Sequence, residues 1–148
     1  MSLPIDPTKI APEDIGEERT RIELPHEEAI EHVRDVCLEE GFGVPVEFSP
    51  SELLNEKVDA DRTPYYVLGA CNPSIANQCL DVTPRMGALF PCNFIIREIE
   101  PGLQEVHHVS IMRIARLVGI APDSDEWEAI VTETGKLVEA TYERLDSV

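Results

Sequence analysis

A long segment that is nearly free of charge runs through the middle of an otherwise acidic sequence. Between Tyr65 and Ile96 the only charged side chains are Asp81 and Arg85. Taking an unpaired charge out of water costs far more free energy than burying an apolar group, so a segment without charges is one that folding can bury. We therefore expect this low-charge segment (residues 65–96) to form the centre of the domain, with the charged flanks at its surface.

The low-charge segment and the residues just after it predict three strands and one helix. Tyr65 to Ala70 is typical of a buried strand, and Ser74 to Leu80 of a short helix. Phe94 to Ile99 predicts a second strand. Leu103 to Val109 then pairs back on it across the turn at Glu100-Pro101-Gly102.

The residues before the low-charge segment predict a strand, a helix and a second strand. The alternation from Thr20 to Leu24 is typical of a half-buried strand. Apolar residues recur at helical spacing from Pro25 to Glu40, and Gly41 ends that helix. Val44 to Phe48 predicts the second strand, and Ser49 to Asn55 a short helical turn.

The C-terminal third predicts helices. Ser110 is a good N-cap for a short helix that ends at Gly119. A longer helix begins at Asp123, with Glu126 three positions later as in a capping box. The apolar side of that helix is one continuous stripe, formed by Trp127, Ile130, Val131, Leu137, Val138, Tyr142 and Leu145.

Together these elements predict an α+β fold. We expect a two-layer domain with a mainly antiparallel sheet, helices packed on one face of it, and a C-terminal helix. A chain of 148 residues is about one domain's worth of sequence. We therefore assign residues 19–148 to a single domain and residues 1–18, which carry three prolines among scattered acids, to a flexible acidic arm.

The charge balance excludes several classes of partner. The chain has 29 acidic and 12 basic residues, a formal net charge of −17, and only three lysines. Such a field repels phosphate backbones and anionic membranes, so we expect binding to neither nucleic acid nor membranes. An acidic surface poor in lysine also suits a halophile, because concentrated salt screens the self-repulsion.

The sequence also predicts a cytoplasmic location. It contains no run of about 18 apolar residues that could span a bilayer and no secretory signal at its start. Its four cysteines, Cys37, Cys71, Cys79 and Cys92, would then lie in a reducing compartment, where free thiols or metal ligands are commoner than disulfides.

The first motif of chemical interest is Cys71-Asn72-Pro73, where the buried strand meets the next helix. A residue before proline is extended, as an N-cap must be, so Asn72 fits the cap and Pro73 the first helical position. The helix N-terminus favours a thiolate, which makes Cys71 a candidate nucleophile or metal ligand. The alternative is a buried, inert Cys71.

The second motif is Pro91-Cys92-Asn93, where proline interrupts a strand-like run. A proline there predicts an edge strand or a bulge, which would redirect Cys92 and Asn93. If the strands of the two motifs are neighbours, Cys71 and Cys92 would face one small pocket. The alternative is that both asparagines only hydrogen bond to turn backbones.

We predict no cofactor and no native metal site. The cysteine spacings match neither a zinc finger nor a redox CxxC motif. His107 and His108 are neighbours on a predicted strand, so their side chains point to opposite faces. The best metal ligands on offer are Cys71, Cys92 and His108. The common nucleophile, phosphate-binding and metalloprotease motifs are absent from the sequence.

The two motifs, in this order and at this spacing, resemble the signature of the family called domain of unknown function 302. The resemblance covers residues 20–118 and leaves residues 119–148 as a C-terminal helical extension. It implies a small α/β domain that often forms a homodimer and has no agreed biochemical activity.

Two functional hypotheses follow. The first is an uncharacterised, noncatalytic binding or structural domain, homodimeric, with a pocket for a small molecule lined by Cys71-Asn72-Pro73 and Pro91-Cys92-Asn93. The second is a thiol-dependent redox enzyme or soft-metal sensor that uses Cys71 as the reactive thiolate and Cys92 as its partner.

Overall fold

A computed structural model describes residues 2–146, which form an antiparallel sheet of five strands and five α-helices. The strand order is β1-β5-β4-β3-β2. The α+β two-layer fold expected from the sequence is confirmed. In chain order the elements are β1 (Glu18–Ile22), α1 (His26–Glu39), β2 (Gly43–Phe48), α2 (Pro50–Lys57), β3 (Tyr65–Cys71), α3 (Pro73–Val82), β4 (Cys92–Glu100), β5 (Leu103–His108), α4 (Ile111–Leu117) and α5 (Asp125–Asp146).

The low-charge segment supplies the centre of the fold, as its composition predicts. It contains β3, α3 and the start of β4, and β4 is the middle strand of the sheet. Leu68 pairs with Phe94 and Ala70 with Cys92, and all four side chains are buried. Because side chains alternate along a strand, these pairs project from the same face of the sheet.

Helices α1 and α5 cover that face. Both present apolar stripes to it, and α5 is also tied to the sheet through the Tyr142 hydroxyl, which lies 3.2 Å from the Val106 carbonyl and 3.3 Å from that of Glu18. Trp127, at the start of α5, is fully buried and donates from Nε1 to the Met112 carbonyl at 2.9 Å. The stripe predicted on the C-terminal helix therefore does pack onto the core.

The opposite face of the sheet is largely open. Its apolar side chains include Val46 and Phe48 on the edge strand β2, which are 55% and 53% exposed. Helix α2 reaches only the margin of this face, where the Ser51 hydroxyl hydrogen bonds to the backbone N–H and carbonyl of Tyr65.

Some local predictions differ from the structure. Residues 1–18 were expected to form a loose arm, yet Pro7–Lys9 and Pro12–Ile15 are 3₁₀ helices and the Ile15 carbonyl accepts from the Ser110 N–H at 2.7 Å. The cap of α5 is Ser124 rather than Asp123, because the Ser124 hydroxyl accepts from the Trp127 N–H at 3.2 Å. Within residues 2–146, no helix is long and apolar enough to cross a bilayer.

Asn72 joins two parts of the backbone. Its Oδ1 accepts from the Ile75 N–H at 3.0 Å and so caps α3, while its Nδ2 donates to the Gly41 carbonyl at 2.9 Å, in the turn after α1. Asn93 has an exposed side chain, and no group of residues 2–146 hydrogen bonds to its amide. The two asparagines of the motifs thus have different structural roles.

Replacing Asn72 with alanine should lower the free energy of unfolding by about 1–2 kcal/mol, since it removes a helix cap and a bond to a second turn. Asn93→Ala is the matched control and should change it by less than about 0.5 kcal/mol. Urea unfolding followed by circular dichroism measures both values. Equal effects of the two substitutions would contradict these separate roles.

His108 is buried on the helix-covered face of β5. Its ring stacks on Phe94 with centroids 4.6 Å apart, and its Nδ1 lies 2.9 Å from the Asn93 carbonyl. A carbonyl only accepts, so Nδ1 carries the proton. Burial lowers the pKa of His108 from 6.5 to about 4, because the ring cannot be charged there without losing its hydration.

As the pH is lowered from 6.5 to 4, the free energy of unfolding should therefore fall, because in this range the unfolded chain protonates His108 and the folded chain does not. Between pH 7 and pH 5 the contribution of this residue falls by about 2 kcal/mol. Between pH 7 and pH 5, His108→Gln should lose about 2 kcal/mol less free energy of unfolding than the native chain, although it is less stable than the native chain at pH 7. Urea unfolding at the two pH values measures both losses. Parallel losses in the two proteins would show that His108 titrates normally.

Candidate functional site

The two motifs meet where the pairing of β3 with β4 ends. The strands are antiparallel neighbours, and Ala70 pairs with Cys92 as the last pair of their ladder. Cys71 follows Ala70 in one strand and Pro91 precedes Cys92 in the other. The turn from β3 into α3 and the entry into β4 therefore lie side by side.

A cavity of about 220 Å³ lies at this point and is lined by both motifs. We call it the motif cavity. The first motif contributes Cys71 and Asn72, and the second contributes Pro91 and Cys92. The rest of the lining is almost entirely apolar and consists of Phe42, Pro45, Val46, Ala70, Ile75, Ala76, Phe90, Met112 and Thr134.

The position of the cavity explains how both cysteines reach it. Cys92 projects from the helix-covered face with Ala70, so alternation directs Cys71 toward the other face. Because the cavity lies at the strand ends, residues from both faces of the sheet line it. The two thiols therefore share a cavity without sharing a face of the sheet.

Gly69 allows the wall of this cavity to close. A Cβ at this position would lie 2.6 Å from Val46 Cγ2 and 2.7 Å from Pro91 Cγ, closer than real side chains approach. The missing side chain lets Val46 and Pro91 pack directly over the strand. Glycine at position 69 is thus a packing requirement of the site.

The polar groups that line the motif cavity are already satisfied or uncharged. Both functional atoms of the Asn72 amide bond to backbone, and the Thr134 hydroxyl donates to the Ile130 carbonyl at 2.9 Å. Burial raises the pKa of the Cys92 thiol to about 12, and that of Cys79, on the buried side of α3, to about 11. Both thiols are neutral at physiological pH, while Cys71 is half-buried at the cavity wall.

Two of the six motif residues do not line the motif cavity. Pro73 is exposed in the first turn of α3, and Asn93 is exposed on the open face of the sheet. The prediction that Pro91 marks an edge strand or bulge is wrong, because β4 is central. Pro91 precedes the first residue of β4, after a cis Phe90–Pro91 bond, so its missing N–H removes no bond of the ladder.

The candidate metal ligands are not brought together. His108 lies away from the motif cavity and lines a second cavity of about 500 Å³, whereas His107 projects from the opposite face and hydrogen bonds to Glu17 at 3.2 Å. No three His, Cys, Asp or Glu side chains within residues 2–146 are grouped to hold a metal ion. Nothing in the sequence predicts the second cavity, apart from the opposite directions expected for the two histidine side chains.

The comparisons with known proteins agree on the fold. The crystal structure of an uncharacterized conserved DUF302 protein from Bacillus stearothermophilus has a TM-score of 0.75 with this chain at 24% identity, and the similarity covers 87% of this chain and 97% of that one. A comparison with curated proteins gave no match.

The sequence model for the domain of unknown function DUF302 matches residues 18–145. The match therefore includes α5, beyond residues 20–118 in which the two motifs carry the resemblance. It begins where β1 begins, at Glu18. On this evidence the chain belongs to the DUF302 family.

Proposed function

We propose that this protein is a noncatalytic, cytoplasmic binding module whose motif cavity holds one small, largely apolar molecule. The observation that carries the proposal is that both sequence motifs line one cavity whose other walls are apolar. The four free cysteines, none of them in a disulfide, are typical of a reducing compartment and support the location.

The size of the cavity limits the ligand. A dry apolar cavity of about 150 Å³ in another protein binds benzene or xenon. The motif cavity, at about 220 Å³, is somewhat larger and so suits a single ring or a small fused ring system. Since its polar groups are already paired, a ligand gains affinity from apolar burial rather than from hydrogen bonds.

The observation that favours the second hypothesis is the place of Cys71. It is half-buried, lines the cavity and immediately precedes Asn72, the N-cap of α3. Reactive cysteines in other proteins are often found at helix N-termini, and α3 is a helix of ten residues. Cys92 is a poor thiolate because burial raises its pKa to about 12, so a redox or soft-metal function would depend on Cys71 first.

The open face of the sheet supports a homodimer. Val46 and Phe48 are half-exposed there, and an apolar strip continues from Phe48 through Val67 to Ile95 in the middle of the sheet. Covering such a surface with a second copy would remove apolar area from water. We place the dimer interface on this face.

The cavity hypothesis predicts that indole binds to the protein and slows alkylation of Cys71 by N-ethylmaleimide. Ala76→Leu places a side chain in the cavity and should abolish both effects, whereas Asn77→Leu, on the exposed side of α3, should abolish neither. Ligand-observed NMR measures binding, and mass spectrometry after proteolysis identifies the labelled thiol.

The pH dependence of the same labelling separates the two hypotheses. A Cys71 that reacts with the pH profile of an ordinary thiol, near pKa 8.5, favours the binding module. Rapid labelling at pH 6, lost in Cys71→Ser, would favour the thiol enzyme. Unchanged labelling in the presence of indole would remove the support for a cavity ligand.

The dimer hypothesis predicts that Phe48→Glu yields monomers while the native chain elutes as a dimer. Leu38→Glu is the matched control, since Leu38 is also 53% exposed but lies on α1, on the other side of the molecule. Light scattering after size-exclusion chromatography, at moderate and at high salt, gives the masses. A native chain that is monomeric at both salt concentrations contradicts the interface.

A further inference from the structure

The second cavity, which we call the histidine cavity, differs chemically from the motif cavity. It has a volume of about 500 Å³ and lies between α5, the start of α4 and the paired ends of β1 and β5. Charged side chains of both signs line it: Glu18 and Glu139 are acidic, and Arg113 and Lys136 are basic. His108, the register partner of Glu18, lies on its sheet side.

His108 leaves one buried polar atom without a partner. The residue is 1% exposed, and its Nδ1–H is used by the Asn93 carbonyl. The remaining ring nitrogen, Nε2, is buried and receives no hydrogen bond from residues 2–146. Because the ring is neutral, Nε2 is an acceptor, and a buried acceptor without a donor destabilises the folded state. A ligand with an N–H or O–H group could satisfy it.

The charged groups around the cavity form no ion pairs with one another, and Glu18, Lys136 and Glu139 are exposed to solvent. In the described part of the chain, Arg113 and Lys136 form no ion pair and their side chains make no hydrogen bond, although acids outnumber bases by 29 to 12. Glu18 and Glu139 likewise have no cationic partner there. Partial burial, together with the nearby charges of Asp146 and Glu139, raises the pKa of Glu18.

The two signs of charge come from different elements. The acceptors Glu18 and His108 are paired across β1 and β5, and the guanidinium of Arg113 comes from α4. A molecule that lies in the cavity thus meets acceptors on the sheet side and a cation on the α4 side. This arrangement matches a ligand that carries a donor at one point and an acid group at another.

Gly135 opens the wall of α5 toward this cavity. It lies in the middle of a 22-residue helix, lines the cavity, and a Cβ added to it would meet no atom within 4 Å. Glycine within a helix is less stabilising than alanine. Its effect here is to expose helix surface to the cavity, where a longer side chain would occupy the space.

We propose that the histidine cavity binds a small zwitterion with an ammonium and a carboxylate group, that is, a free amino acid. The ammonium donates to His108 Nε2 and lies near the Glu18 carboxylate, while the carboxylate pairs with Arg113 and is attracted by Lys136. The balanced charge of the lining disfavours a dianion, and the unpaired acceptor requires a donor. This site is separate from the motif cavity, and its occupancy does not depend on the function proposed for that cavity.

The test is binding of the twenty L-amino acids, each added singly to the full chain, by ligand-observed NMR and then by calorimetry. We expect at least one to bind, and its N-acetyl derivative and its methyl ester each to bind about tenfold more weakly or worse, since each loses one charged contact. Arg113→Gln should weaken binding of the amino acid by a similar factor and leave the methyl ester unaffected.

Gly135→Leu adds a large side chain to the wall of the cavity and should abolish binding by occupying the space of the ligand, whereas Gly135→Ala adds only a Cβ and should retain it. Both variants should melt at or above the temperature of the native chain, because leucine and alanine favour helix more than glycine does. Binding that survives in Gly135→Leu, equal binding of the N-acetyl derivative, or no binding by any of the twenty amino acids overturns the proposal.

Discussion

The pairing of β3 with β4 is the interaction on which the rest of the structure depends. It joins the two halves of the low-charge segment, places Leu68 beside Phe94 in the core, and makes β4 the middle of the sheet. The same pairing brings the end of β3 beside the entry into β4, and both motifs lie at that junction. Core, strand order and candidate site are therefore consequences of one ladder, and a sequence that could not bury this segment would lose all three.

Two of the motif-region residues are explained by packing and hydrogen bonding within the fold. Gly69 is required because a Cβ at this position would lie only 2.6 Å from Val46 Cγ2 and 2.7 Å from Pro91 Cγ. Asn72 is required because one side chain serves two backbone groups, the N–H of Ile75 and the carbonyl of Gly41. What remains for chemistry is Cys71 at the wall of the motif cavity, and Cys92 below it as a neutral, buried thiol.

The sequence predicted what depends on local pattern and missed what depends on distant contacts. The low charge of residues 65–96 and the helical stripe of α5 were sufficient to predict the layers.

The predicted strand from Thr20 to Leu24 is shifted by two residues from Glu18–Ile22, because its pairing with β5 determines where β1 lies. Ser124, rather than the predicted Asp123, caps α5 because its hydroxyl is the group that accepts from the N–H of the buried Trp127. Pro91 was misread because the residues before it resemble a strand but contain the 3₁₀ helix Pro84–Ala88.

The two cavities show why family motifs and binding chemistry need not coincide. The motif cavity is lined by the signature, but its amide and hydroxyl groups are already paired, so its affinity can come only from apolar burial. The histidine cavity contains a buried acceptor that no group within residues 2–146 satisfies, and charged side chains that form no ion pair within those residues. These residues come from β1, β5, α4 and α5, so no short sequence motif marks them. The buried Nε2 of His108 costs free energy in the folded state while it has no donor, and a ligand that donates to it recovers that cost on binding. Selective recognition of a polar molecule is therefore expected at the cavity that the signature does not mark.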